Sequence, residues 1–493
     1  LSIAVVMIAG LARLVVAALT PLFPDETYYW EWSRHLSAGY FDHPPVIAWL
    51  IRIGTLVAGN TPLGVRLGPV ITGTIGVWFV CLAARRMAGD RAAALCAIIF
   101  AVMPLSAAGL ILATPDAPLL AAMAATTYAV LRALEHPPGT RDSLVWWSWA
   151  GLALGVGLAS KYTAVLLPVG VFLALATRSD LRRRLREPGP YVATLLALLV
   201  FLPVIVWNAT HDWASFVFQL RHGLGGAAGS AVSRELELIG GQLGLVSPIL
   251  FVMIAIAVAG AARRNSVQTE RVLAIAAVFV FAFFMYSATR RRVEPNWPAI
   301  AYVPGVLLLL SRASTPRWER WMRAGIGLAA AMMLVTYVNA FTPILPVPAR
   351  RDPAARAHGW EELARVVDRV HAPRRPISSY RTWIAADRYQ DASELAFHLP
   401  DNPETFSLNL VTRPNNYDFW PSFTDRASPR DGLLLLVDDV AGIHPTVALL
   451  EPHFARVQQG DSARLARKGD VTRHLRLWVL DGWRGTWPER QPR

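Results

Sequence analysis

PDETYYWEWSRHLSAGYFDHPP, Pro24 to Pro45, follows directly on the first strongly apolar run of the chain. It packs Asp25, Glu26, Glu31 and Asp42, two histidines and six aromatic residues into 22 positions. The run before it is long enough to span a bilayer, and similar runs recur as far as about residue 341. No small-residue cleavage site follows the first run, so it reads as a span and not as a removed signal. The whole 493-residue chain is 54% hydrophobic and only 17% charged, against about 25% charged residues in a soluble domain. The polar stretch therefore lies just outside the first of many membrane segments.

Apolar periodicity places spans at roughly 3–19, 64–84, 93–110, 117–134, 144–159, 162–177, 191–208, 240–262, 272–288, 298–311 and 324–341. The fold class expected is a polytopic α-helical membrane protein with about 11 or more spans. Arg85-Arg86, Arg178 with Arg182 to Arg184, Arg263-Arg264 and the arginines of 312–323 fall in alternate loops. The positive-inside rule makes those loops cytoplasmic. The opening stretch, the turns at Asp116 and Lys161, the loop 209–239 and everything after about residue 342 then face outward. The net charge of +13 is thus topogenic, and no aromatic-basic strip points to nucleic acid. Cys81 and Cys96 lie in or beside apolar runs and read as core residues.

Two regions follow: a transmembrane catalytic domain, 1–344, and an extracytoplasmic α/β domain, 345–493. In the second, the strand-like LLLLVDD (433–439) and LRLWVLD (475–481) alternate with helix-like DASELAFHL (391–399) and TVALLEPHF (446–454).

The chemistry gathers on the outer side. ATPDAP carries Asp116; ASKYTA carries Lys161, one of only two lysines; HDWASFVFQLRHG carries His211, Asp212, Arg221 and His222. Ionisable groups at membrane depth are costly and mark sites by default. Each also has a structural reading. Asp25 and Glu26 suit the first turn of a helix, and Asp116 suits a helix start. Lys161 can snorkel to the interface. Tyr28, Tyr29, Trp30 and Trp32 suit an interfacial aromatic belt. TRRRVEPNWP (289–298) breaks the charge rule by putting Arg290, Arg291 and Arg292 outside, which suits a misplaced span or an anion such as a lipid phosphate.

Taken in order, PDETYYWEWSRHLSAGYFDHPP, TPDAP, GLALGVGLASKYTAVLLP, FVFQLRHG and EPNWPAIAYVP resemble the GT-C glycosyltransferases of family 39 and the related lipid A aminoarabinose transferases. The resemblance implies the GT-C fold and a bacterial inner-membrane enzyme with its active site on the periplasmic side. Its donor would be a polyprenyl-phosphate-linked sugar. The acceptor would be a glycolipid, lipid A, a polysaccharide or a protein hydroxyl. Asp25 matches the essential acid of the first loop, with Glu26 beside it and Asp116 as a second acid. Lys161 matches a lysine on the carrier phosphate, with His43 and Arg290, Arg291 and Arg292 as further phosphate-binding positions. Tyr28, Tyr29, Glu294 and Asn296 are the acceptor or sugar pocket candidates. Asp42 and His222 resemble a carboxylate–histidine pair for a divalent metal. The chain departs from the aminoarabinose enzymes at DHPP, where His43 replaces a lysine. The rival class is a glycolipid flippase, which also needs intramembrane charge, but no paired inverted halves are visible.

Overall fold

The computed structural model describes residues 1–177, 179–226, 229–263, 267–312, 315–374 and 380–491. Arg178 and Arg264 of the charge pattern lie outside them. The chain divides into two compact units. One is built from Leu1–Leu19 with Leu36–Thr342, the other from Thr20–His35 with Pro343–Arg493.

The first unit is helical. Among the described residues, seven helices are long and apolar enough to cross a membrane: Ser2–Leu19, Pro62–Val102, Asp116–Glu135, Arg141–Ser160, Gly189–Ala209, Gln268–Arg290 and Pro316–Phe341. The pair Ala231–Val246 and Pro248–Ala261, bent by 107°, makes an eighth if it is one span. The eleven apolar stretches read from the sequence all fall on helix, but not one to one. Two share Pro62–Val102, which is really two helices meeting at Ala88 and Gly89, where φ reaches 82° at the glycine. Two others fall on the shorter apolar helices Tyr162–Thr177 and Trp297–Ser311. By length and composition alone seven helices qualify, or eight with the bent pair, with Pro62–Val102 counted once and the shorter apolar helices left out. A third short apolar helix, Val46–Ala58, occupies a stretch read as loop.

Buried charge in this unit is matched to backbone acceptors. Arg13 donates to the Phe100 carbonyl at 2.6 Å and Arg66 to that of Ala17 at 3.1 Å. Both carbonyls lie in the last turn of a helix, where no intrahelical donor reaches them. Arg184 is buried and donates to the carbonyl of His136 at 2.6 Å. At least one arginine of the basic loops is thus a structural clamp.

The second unit carries a five-stranded sheet: β1 (Thr382–Ala386), β2 (Thr405–Ser407), β3 (Gly432–Asp438), β4 (Phe454–Arg467) and β5 (Asp470–Trp483). The order is β2-β1-β3-β5-β4. The β1 pairings are parallel and those of β5 antiparallel. Strand β3 is the continuous run GLLLLVD, the pattern of a strand covered on both faces. The β4–β5 hairpin turns at Lys468 and Gly469, both with positive φ, as a two-residue hairpin requires. Helices Trp360–His371 and Tyr389–His398 belong to this unit, as does the eleven-residue helix Pro24–Arg34 from the opening stretch.

Candidate active site

In the helical unit three distant segments meet at Asp116. This residue opens helix Asp116–Glu135 behind Pro115. Lys161 ends the helix Arg141–Ser160 in an extended conformation before the turn at Tyr162. Asn296 precedes the short helix Trp297–Ala301. The Lys161 Nζ lies 2.7 Å from the Asp116 Oδ1, and the Asn296 amide donates to the Asp116 Oδ2 at 3.0 Å. The side chains of Lys161 and Asp116 are only 10% and 17% exposed. Lys161 therefore does not reach out to the interface; it is turned inward onto a carboxylate.

The glycine-rich run before Lys161 packs closely on its neighbours. A Cβ at Gly157 would collide with the Met123 methyl, and one at Gly151 with the Ala193 carbonyl. The Gly151 contact is with backbone and so requires glycine for the close approach to helix Gly189–Ala209, whereas at Gly157 the flexible Met123 side chain could give way. Beyond Lys161, the Tyr162 hydroxyl pairs with the Ser215 Oγ at 2.8 Å and lies 3.5 Å from the Asn208 amide. The sequence reading did not single out Tyr162, whose signal was its place in ASKYTA.

The aromatic side of the site runs through the helix Ala214–Leu224. Phe218 packs on Phe41 and on His222, and His222 packs on Trp297, with ring centroids 4.6, 5.3 and 5.4 Å apart. Gln219 donates to the Asp42 carbonyl and lies 3.5 Å from the His43 Nδ1. Asp42, His43 and His222 are thus linked to Asn296 through Gln219, Phe218 and Trp297. Among the described residues no three His, Cys, Asp or Glu side chains stand together as a metal set. Asp42 and His222 would supply two of the about four ligands a bound ion takes, and no step below is routed through one.

The three arginines diverge. Arg290 is exposed. Arg292 lies 3.7 Å from Glu237, both well exposed. Arg291 donates one Nη to the Arg221 carbonyl at 2.9 Å, while its buried Nε has no partner. Burial lowers its pKa, so this guanidinium is desolvated and under-satisfied. Glu294 is exposed.

Asp25, Glu26, Tyr28 and Tyr29 belong to the second unit. Pro24 occupies the first turn of its helix, Asp25 follows, and Glu26 folds back so that its Oε2 accepts from the Phe23 N–H at 3.0 Å. That is the carboxylate half of a capping box, and Glu26 is 1% exposed. Tyr28 is a core residue: its hydroxyl accepts from the Asn416 N–H at 2.7 Å, and its ring lies 4.3 Å from that of Tyr389. Tyr29 is buried against Trp32. Of this group Asp25 is the one left half-exposed.

Comparison with known proteins gives the chain's relatives and fold. The family described as dolichyl-phosphate-mannose-protein mannosyltransferase matches residues 42–207. The lipid A galacturonosyltransferase RgtD of Rhizobium johnstonii is 27% identical over 332 residues, 66% of this chain and 68% of that one. ArnT from Cupriavidus metallidurans, solved bound to undecaprenyl phosphate, superposes with a TM-score of 0.65 at 18% identity, covering 96% and 97% of the two chains. The chain has the GT-C fold and is similar to polyprenyl-phosphate-sugar-dependent glycosyltransferases. A third relative, the undecaprenyl phosphate-alpha-4-amino-4-deoxy-L-arabinose arabinosyl transferase of Pseudomonas paraeruginosa, is 32% identical over 217 residues, 40% of this chain and 39% of that one. The GT-C fold and the multi-pass helical architecture expected from the sequence are those of this transferase, including its C-terminal sheet.

Proposed function

We propose that this transferase moves a sugar from an undecaprenyl-phosphate-type carrier to a glycolipid of the lipid A class, at the periplasmic face of a bacterial inner membrane. The observation that carries the reading is the buried Asp116–Lys161–Asn296 constellation in the helical unit. A shielded ion pair is costly in a membrane bundle that could pack apolar side chains instead, so it marks a functional site by default. The names of the relatives support donor and acceptor class, and none of those described above is a transporter.

The reaction is a direct displacement. The acceptor hydroxyl attacks the anomeric carbon, the bond from that carbon to the phosphate oxygen breaks, and polyprenyl phosphate leaves with its negative charge. The anomeric centre inverts. The phosphate is a good leaving group, so the demand falls on the weak nucleophile, and Asp25 takes its proton. Asp25 holds this role by its place in the motif and its exposure. Lys161 stabilises charge growing on the departing phosphate. Since Asp116 already neutralises Lys161, Arg291 is the under-satisfied cation that complements it, with His43 beside it in role. Asp116 and Asn296 position Lys161. Purified protein incubated with carrier-linked sugars and lipid A, read by mass spectrometry, tests the proposal. Sugar transfer that vanishes in Asp25→Asn is expected. Absence of transfer to any glycolipid across the carrier-linked sugars would overturn it.

A further inference from the structure

The second unit contains a cavity of about 210 Å³ that the proposed chemistry does not use. Pro24 forms part of its wall, together with Trp360, Arg350, Arg356, Arg388 and Arg473. Four arginines line it against two aspartates, Asp352 and Asp391. Both aspartates are already matched. Asp391 takes two hydrogen bonds from Arg473, at 2.8 and 2.9 Å, and Arg473 also reaches Asp438 at 2.7 Å. Asp352 is paired with buried Arg467. Arg350, Arg356 and Arg388 have no side-chain partner among the described residues. The cavity therefore keeps an excess of positive charge on three guanidinium groups, those of Arg350 and Arg356 exposed and that of Arg388 partly so, that no side chain among the described residues neutralises.

One further feature fits an anion. Arg388 is the N-cap of the ten-residue helix Tyr389–His398, whose first-turn residues Gln390 and Asp391 also line the cavity. The positive end of that helix adds to the arginines. Trp360, buried in the core, closes one side of the cavity, its N–H donated to the Arg356 carbonyl at 2.9 Å. Pro24 places the cavity one residue from Asp25, whose Cα is about 3.8 Å along the chain.

We infer that this cavity is an acceptor subsite. It holds an oxyanion substituent of the acceptor saccharide, a phosphate monoester or a carboxylate, about one sugar unit from the hydroxyl that Asp25 deprotonates. This rests on the transferase reading above and adds to it the acidic character of the acceptor. Arginine is the side chain suited to forked recognition of either group.

The test uses the full-length protein in nanodiscs, with Arg356→Ala/Arg388→Ala and, separately, the exposed Arg350→Glu. Acceptors are lipid A with its phosphates, the same lipid dephosphorylated, and a carboxylate-bearing lipid A glycoform. The acceptor KM should rise about tenfold or more for an oxyanion-bearing acceptor, with kcat and donor KM unchanged. The neutral acceptor should show the same KM with wild type and variants. Whichever acid is favoured by wild type and lost in the variants names the oxyanion. Equal KM changes for charged and neutral acceptors would overturn the subsite, as would no change at all. Arg388→Lys should restore part of the effect, which a merely structural arginine would not require. Direct binding of the same lipids, without donor, separates the two readings. Arginine-dependent binding without any transfer supports the subsite and sinks the transferase reading. Transfer with arginine-independent binding does the reverse. Inorganic phosphate competing as well as the lipid would reassign the cavity to the free ion.

Discussion

Both units bury paired charge, Arg184 with Glu187 in the helical unit and Arg467 with Asp352 in the second, but they differ in what else they bury. In the helical unit Arg13, Arg66 and Arg184 reach backbone carbonyls and Lys161 reaches Asp116. In the second unit two glutamates, Glu31 and Glu394, are buried deeply enough to be pushed up to about 7. Burial dominates both shifts. Arg34, 2.8 Å from Glu31, and His398, 3.1 Å from Glu394, offset it only in part. An arginine cannot shed its charge, so in an apolar bundle it must find acceptors. A carboxyl can take up a proton, and a water-facing domain can bury it that way. The lesson is that an ionised pair kept in the helical unit is there for its charge, whereas a buried acid in the second unit need not be ionised.

The sharpest way to break this contrast is at Asp116 and Lys161. Removing one member of a buried pair leaves the other uncompensated, at about 3–5 kcal/mol. Asp116→Asn and Lys161→Gln should each lower the thermal midpoint in detergent and abolish transfer. The double variant should recover most of the stability and none of the transfer. Recovery of both would make the pair a structural staple.

Next in size is Asp25. Asp25→Asn should cut turnover about 10²-fold or more while leaving the midpoint and donor binding unchanged. Near-normal turnover would remove it as the base.

A pH titration of unfolding sharpens the other side of the comparison. Glu31 and Glu394 bind protons more tightly when folded, so their contribution is full below about 4.5 and is lost as pH rises through about 7. His35, lowered by burial, acts oppositely: its contribution is present above its ordinary range and lost as pH falls. The difference between wild type and Glu31→Gln/Glu394→Gln is therefore the readout. The variant should be relatively more stable at pH 8 than at pH 5. An unchanged difference across that window would mean both acids are ionised in the fold.

The smallest effect belongs to Glu26. As a capping side chain, Glu26→Gln should cost about 1 kcal/mol or less and leave kcat intact. A large loss of kcat at unchanged stability would return it to the chemistry.

The membrane bundle was legible because apolar length alone carries it, and Asp116 and Lys161 were legible because charge is rare there. Merged spans at Ala88–Gly89 were not, since a reversal with positive φ leaves the hydropathy of both arms intact. Strand β4 was hidden by its polar sequence, FARVQQGDSARLAR, an edge strand with a bulge between Gln459 and Ser462. Tyr28 read as a membrane-belt or pocket residue because its partners Tyr389 and Asn416 lie far along the chain. Arg350, Arg356 and Arg388 carry no local signal in an arginine-rich chain; only folding brings them around one cavity.

The second unit is stitched from two pieces of chain that leave the ribosome far apart in time. Helix Pro24–Arg34 emerges first, yet its companions begin at Pro343, roughly 300 residues and, at about 5–20 residues per second, roughly 15–60 s later. Throughout that interval Tyr28, Trp30 and Trp32 have no core to enter. The segment bearing Asp25 is translated well before the residues that house it. A nascent chain halted before Pro343 would carry a fully inserted bundle and an orphaned aromatic helix, a species fit for quality control and not for catalysis.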